Sequence, residues 1–258
     1  MNKFLGVAVL GAAFSLQAGV VCEINGAKDL NFTNRVKATG EKQFKVVKTG
    51  WLRSTKYYPI DPTKSYRIQG ELRAAPGEKA AGKCSIGFYP VTEKNQIIGV
   101  NNVHSVKGSE TELAAQVNIG DKVFKVKDAS KWKKGGYAAF DIDPSGKMRD
   151  LPCFSVCNSP ITAITKNGDV WDVEVKTPIR TAYAAGVPMR EHLPGWSFLC
   201  SDSMVPGAEW QNVSWTVKPG AVKGNTRSQW LFGAKKFLVI LVLYAGTECR
   251  NVTVEEVE

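Results

Sequence analysis

Residues 66–73 read Tyr-Arg-Ile-Gln-Gly-Glu-Leu-Arg, and they place planar hydrogen-bonding groups at every second position. In an extended strand Arg67, Gln69, Glu71 and Arg73 share one face, while Tyr66, Ile68, Gly70 and Leu72 share the other. Guanidinium, amide and carboxylate groups in a row can make paired hydrogen bonds to the vicinal hydroxyls of a ligand. The same row also fits an ordinary solvated sheet face, and alternation alone does not choose between them. The expectation is that it lines a concave groove. Ser85 and Tyr89 have the parity opposite Cys84, Ile86 and Phe88, so Tyr89 is expected on the same sheet face as the row. Trp51, Tyr57, Tyr58, Trp196 and Trp230 sit near turn signals and are expected to form an aromatic rim. The alternative for each ring is the core, which aromatics dominate.

Catalytic signatures are missing from the chain. It has no Gly-x-Ser-x-Gly elbow and no His-Glu-x-x-His pair. Asp141, Asp143 and Asp150 cluster in "DIDPSGKMRD", where aspartate is a normal turn residue. Glu191-His192 reads as a structural hydrogen-bonding pair. No catalytic residue is assigned. The six cysteines, Cys22, Cys84, Cys153, Cys157, Cys200 and Cys249, suit either disulfides of an exported chain or buried thiols. With two histidines and no Cys-x-x-Cys pair, no metal ligands are assigned.

These residues need strands to position them. The chain has 258 residues, 43% hydrophobic and 22% charged, with 24 glycines. Short alternating runs with turn signals between them describe an all-β protein. "FLVILVLYA" (237–245) is of strand length and reads as a core strand. Asn167-Gly168 marks a hairpin. Residues 1–18 carry Lys3, a short apolar run and Leu-Gln-Ala, the pattern of a cleaved signal peptide. No other segment can span a bilayer as a helix, so a secreted, cell-surface or periplasmic bacterial protein is expected. A net charge of +10 favours anionic partners such as acidic glycans, and export argues against nucleic acid. "KWKK" (131–134) reads as a solvated face.

Two stretches carry a family likeness. "GWLRSTKYYPIDPTKSYRIQGELRA", "GFYPVTEKNQII", "GAEWQNVSWTV" and "KKFLVILVLYAGTECRNVTVEEV" resemble, in order and spacing, the jelly-roll carbohydrate-binding modules of the CenC-like kind. The resemblance implies a jelly-roll β-sandwich made of 19–105 plus 193–258, and a carbohydrate partner. Residues 106–192 then form a small inserted β module, similar to modules of phage-tail and bacterial surface proteins. The family's last strand often carries an Asp pair that helps hold calcium. Here Arg250-Asn251-Val252-Thr253 stands in that place, so a structural calcium stays open and is not predicted. Some jelly-roll polysaccharide lyases use His and Tyr beside Arg and Gln. His104, Arg67 and Arg73 resemble that set, but their Gln-Ile-His signature is replaced by Gln96-Ile97-Ile98. The expected role is non-catalytic carbohydrate binding. A cell-envelope scaffold or adhesion protein is the first alternative, and a polysaccharide lyase the second.

Overall fold

The computed structural model describes residues 19–258, so the expected signal peptide, 1–18, lies outside the described residues. The chain passes first through β1 (Val20–Ile24), β2 (Val36–Gly40), β3 (Gln43–Val46), β4 (Gly50–Arg53), β5 (Tyr58–Pro59), β6 (Ser65–Ala74) and β7 (Ser85–Val91). It then makes β8 (Thr111–Glu112), β9 (Val123–Val126), β10 (Tyr137–Phe140), β11 (Ile161–Asn167), β12 (Val170–Val175) and β13 (Pro188–His192). It returns through β14 (Leu199–Cys200), β15 (Gln211–Val222), β16 (Gln229–Leu231), β17 (Lys236–Leu243) and β18 (Thr247–Val257).

The first and last groups build two facing sheets. One has the order β16-β15-β6-β18-β3-β2, with β1 also on β18. The other has the order β14-β7-β17-β4, with β5 also on β17. This is an all-β jelly-roll sandwich, interrupted by a smaller β unit. Its core comes from the inward half of each alternation. Tyr66, Ile68 and Leu72 of β6 face Phe88 of β7 and Phe237, Val239 and Leu241 of β17. Trp230 lies at the centre, with no exposed surface, within 5.5–6.1 Å of the Phe88, Tyr66 and Phe237 rings. The expectation that Trp230 forms part of an exposed rim is therefore corrected. A ring next to a turn in sequence is drawn inward here by three aromatic partners, Tyr66, Phe88 and Phe237, on three other strands.

The β17 run is apolar on both faces. Phe237, Val239, Leu241 and Leu243 point into the sandwich, while Leu238 and Ile240 join Tyr89, Val91, Phe198 and Cys200 in a second cluster on the outside. Continuous rather than alternating hydrophobicity is what a strand covered on both sides requires.

The unit between β7 and β14 has its own core, which includes Phe124, Trp132, Phe140, Val173 and Met189. Two three-stranded sheets, β10-β13-β8 and β11-β12-β9, contribute to it. The β11–β12 hairpin turns at Gly168, as Asn167-Gly168 predicts, and Gly168 takes a φ of 63°. In "KWKK" the lysines are exposed but Trp132 is buried, its Nε1–H donating to the Ser109 carbonyl.

Entry and exit of this unit are paired. Ser105 bridges His192, Val106 N–H donates to the Glu191 carbonyl, and Leu193 N–H donates to the His104 carbonyl. Beneath the junction Arg190 makes two hydrogen bonds to Asp150, and its Nε–H donates to His192 Nε2 at 2.8 Å. His192 Nδ1 lies 2.7 Å from the Asn101 carbonyl, so the ring is neutral with its proton on Nδ1. The His192 ring thus bonds Arg190 and the Asn101 carbonyl, while the Glu191 carboxylate accepts from the Lys133 backbone N–H. His104, the residue of the lyase resemblance, lies beside His192.

All six cysteines are buried and unpaired, which corrects the disulfide expectation. Each thiol is enclosed by neighbours other than a second sulfur at bonding distance. Cys84 meets the Thr247 hydroxyl, Cys157 the Ser159 hydroxyl, and Cys200 the Arg227 guanidinium.

Two outcomes follow. Trp230→Ala removes the largest fully buried side chain and is expected to destabilise the protein by about 3–5 kcal/mol in urea unfolding. Burial, then the Arg190 charge, pushes His192 down to about 4 from an ordinary 6.5. The unfolded state therefore binds the extra proton first. The stability contributed by neutral His192 is complete above pH 6.5 and is lost as pH falls through 4. Between pH 7 and 4.5 that loss is about 2 kcal/mol. In His192→Gln the drop in unfolding free energy over this interval is expected to shrink by that amount. An unchanged drop would place the acid sensitivity elsewhere.

Candidate functional site: two outer sheet faces

The polar row of β6 does share one face, on the outside of the larger sheet. β15 flanks it on one side and β18 on the other. Each member has a partner across the ladder. Glu255 accepts from both Arg67 (2.8 Å) and Gln69 (2.9 Å). Arg250 holds Glu71 through two hydrogen bonds of 2.9 Å, and Asn251 adds a third at 2.8 Å. Arg73 donates to Glu248 at 2.7 Å. These interlocked groups leave few free charges, and the Arg250 guanidinium holds the Glu71 carboxyl below the ordinary carboxylate range.

A groove of about 350 Å³ opens on this face, lined by Gln69, Glu71, Asn212, Ser214 and Asn251. A β-bulge makes it. Arg250 pairs with Glu71 and Thr253 with Gln69, so Asn251 and Val252 together oppose Gly70. Asn251 takes the left-handed conformation (φ 53°) that this insertion requires. The bulge also changes the neighbour of β18. Residues 248–250 pair with β3, and 252–255 pair with β1. Beside the groove the Trp210 ring lies over two guanidinium groups, Arg250 at 4.1 Å and Arg73 at 4.4 Å. Arginine stacking ties the indole to the polar ladder.

The other expected residues do not gather there. Tyr89 belongs to β7 and lies on the outer face of the smaller sheet, which corrects its placement with the polar row. It packs 5.7 Å from Phe198, at whose ring Trp51 (5.4 Å) and Trp196 (6.2 Å) also meet. Trp51 and Trp196 are 53% and 50% exposed. Tyr58 stacks on Phe237 at the core margin, and Tyr57 is exposed nearby. The aromatic rim thus resolves into one patch (Trp51, Trp196 and Tyr89), one core ring (Trp230) and two tyrosines at another edge.

Trp210, Asn212, Ser214 and Phe198 are the residues that sequence reasoning missed. The alternation Trp210-Gln-Asn-Val-Ser-Trp215 held the signal for three of them. With Val213 and Val217 inward, Asn212 and Ser214 must point outward.

The residues at the calcium position do not fit a hard cation. Glu71, the carboxylate nearest to Asn251, is already occupied by Arg250. Among the described residues no group of three His, Cys, Asp or Glu side chains could hold a metal ion. No helix among them is long and apolar enough to cross a membrane. No protein family matches the chain, and no curated protein does.

Titration of the Glu71 carboxyl, followed by carbon NMR, is expected to show a midpoint below the ordinary value of 4.5. In Arg250→Gln that midpoint should rise. A midpoint that stays put would mean that Arg250 does not hold Glu71 in solution.

Proposed function

We propose that this protein binds carbohydrate, as a non-catalytic module of an exported or envelope protein, through the groove at the β18 bulge. One observation carries the reading: a flat aromatic ring, Trp210, stands beside a groove whose lining groups are amide, carboxylate and hydroxyl. Sugar rings present C–H faces that stack on an indole, and hydroxyls that pair with planar polar groups. Glu71 is neutralised by Arg250, so the groove offers no net charge and suits an uncharged, hydroxyl-rich sugar. The pre-existing ladder of cross-strand bonds keeps the lining side chains ordered, which lowers the entropy cost of binding. The resemblance to CenC-like carbohydrate-binding modules supports the same reading.

The test is affinity electrophoresis of the full chain through gels that contain neutral polysaccharides, at low and moderate salt. Retardation that persists with salt is expected, because stacking is not screened. Trp210→Ala should weaken it about tenfold or more, and Asn212→Ala by a smaller factor. Mobility unchanged across the panel, or equal retardation of the Trp210→Ala variant, would remove the groove as a glycan site.

A further inference from the structure

The outer face of the smaller sheet carries a second set of groups that the groove does not use. Phe198 is nearly buried and forms the hub of an aromatic cluster, in edge contact with Trp51, Trp196 and Tyr89. Edge contact ties one side of each indole to the hub and leaves half of each tryptophan to solvent. Leu238 and Ile240 support the cluster from below. The segment that brings Phe198 here can lie against β7 only because residue 87 is glycine. A Cβ at Gly87 would stand 2.0 Å from the Leu199 carbonyl oxygen and 2.6 Å from the Cys200 Cα. No side chain can relieve a clash with backbone, so the platform is built into the fold.

Its charge is one-sided. Arg53 follows Trp51 by two residues on β4, so both point outward, and Arg53 stands opposite Ile240. The Arg53 guanidinium makes no ion pair or hydrogen bond among the described residues, and it is not buried. It lies near Tyr89: burial raises the Tyr89 phenol above its ordinary range, and Arg53 pulls it back. At the other end Arg227 lies 5.5 Å from the Trp196 ring and is anchored by the Cys200 and Ser201 carbonyls. The nearby carboxylates are already engaged: Asp202 with Arg227, and Glu93 with Lys236. A partly exposed guanidinium with no partner beside half-exposed indoles is chemistry for a ring that carries a planar anion. A purely apolar partner would leave that guanidinium without a counter-charge.

We infer that this face is a second saccharide site, which takes an acidic sugar. The uronate carboxylate would be forked by Arg53, and the sugar rings would stack on Trp51 and Trp196. The site lies on the opposite sheet from the groove and does not depend on it. It extends the proposed function from one glycan contact to two of different charge.

The test uses the full chain with polygalacturonate and with its methyl ester, which has the same rings without the charge. Binding is followed by tryptophan fluorescence and by affinity electrophoresis. Polygalacturonate is expected to retard the protein and quench its fluorescence, while the ester binds about tenfold more weakly or less. Arg53→Ala should produce a comparable loss. Arg53→Lys should recover only part of it, because an ammonium cannot fork a carboxylate. Trp51→Ala should also weaken binding, and as an exposed position it should leave the circular dichroism spectrum unchanged. Trp210→Ala should bind polygalacturonate normally, which separates this site from the groove. The inference is overturned if polygalacturonate does not bind, if the ester binds equally, or if Arg53→Ala and Trp51→Ala bind like the parent. It is also overturned if only Trp210→Ala loses binding. Trp51-dependent binding to phosphatidylcholine vesicles in place of polygalacturonate would make the face a lipid contact. Trp51-dependent dimerisation in sedimentation equilibrium would make it a self-association surface, and either result ends the proposal.

Discussion

The strand Lys236–Leu243 is apolar on both faces, and both faces must therefore be covered. Inside, Phe237, Val239 and Leu241 meet the residues of the larger sheet around Trp230. Outside, Leu238 and Ile240 would stand in water without the segment that carries Phe198. That segment lies against the sheet at Gly87, where even one methyl group would collide with backbone. Each fully buried aliphatic side chain contributes about 1.5–3 kcal/mol, so leaving the outer pair exposed would be a serious loss. The cap is thus needed for stability, and the half-covered indoles of its own Trp196 and of Trp51 on β4 form an exposed aromatic surface around Phe198.

The two outer faces differ for a related reason. The larger sheet's outer face has no cap and must satisfy water, so β6 alternates inward and outward residues along its length, and its outward groups pair with those of β18. Where the pairing slips, at Asn251, the ladder opens into a groove. One face is apolar with uncompensated guanidinium charge. The other is polar with compensated charge. The same sandwich therefore presents two outer surfaces of different chemical character.

Much of this was legible in the chain, and what was not shares one cause. The alternation in 66–73 assigned the inward and outward halves of β6 correctly, and the apolar run at 237–243 marked a core strand. Neither pattern says which strand lies beside which. Tyr89 has the parity that would join the polar row, yet β7 lies in the other sheet, a fact fixed by pairing with residues about 150 positions away. Trp51, Trp196 and Trp230 look alike as single rings near turns. Long-range partners bury one and leave two at the surface. The bulge did leave a trace: the inward residues Cys249, Val252 and Val254 are spaced three and then two, which a strictly alternating strand would not allow. The cysteines left none. A thiol destined for a disulfide and one destined for the core have the same spacing, and only the packing distinguishes them.

The junction shows how a sandwich tolerates a long interruption between β7 and β14. The closure entropy of a loop grows only logarithmically with its length, so the decisive factor is whether its two ends are held together. Here the ends hold each other through the Ser105–His192 bridge and its flanking hydrogen bonds. To the sandwich, the inserted unit is then a short closed connection. Beneath that pairing, Asp150, Arg190, His192 and the Asn101 carbonyl form one buried polar chain, in which each group satisfies the next. An apolar junction of the same volume could be as stable, but it would fix the relative register of the two segments less strictly. The bidentate Arg190–Asp150 pair ties the loop after β10 to β13 and, through His192, to the segment that leaves the sandwich. Like the Asp150 carboxylate, His192 accepts a hydrogen bond from Arg190, and its ring can do so only while unprotonated. Protonation of His192 therefore acts on the junction itself.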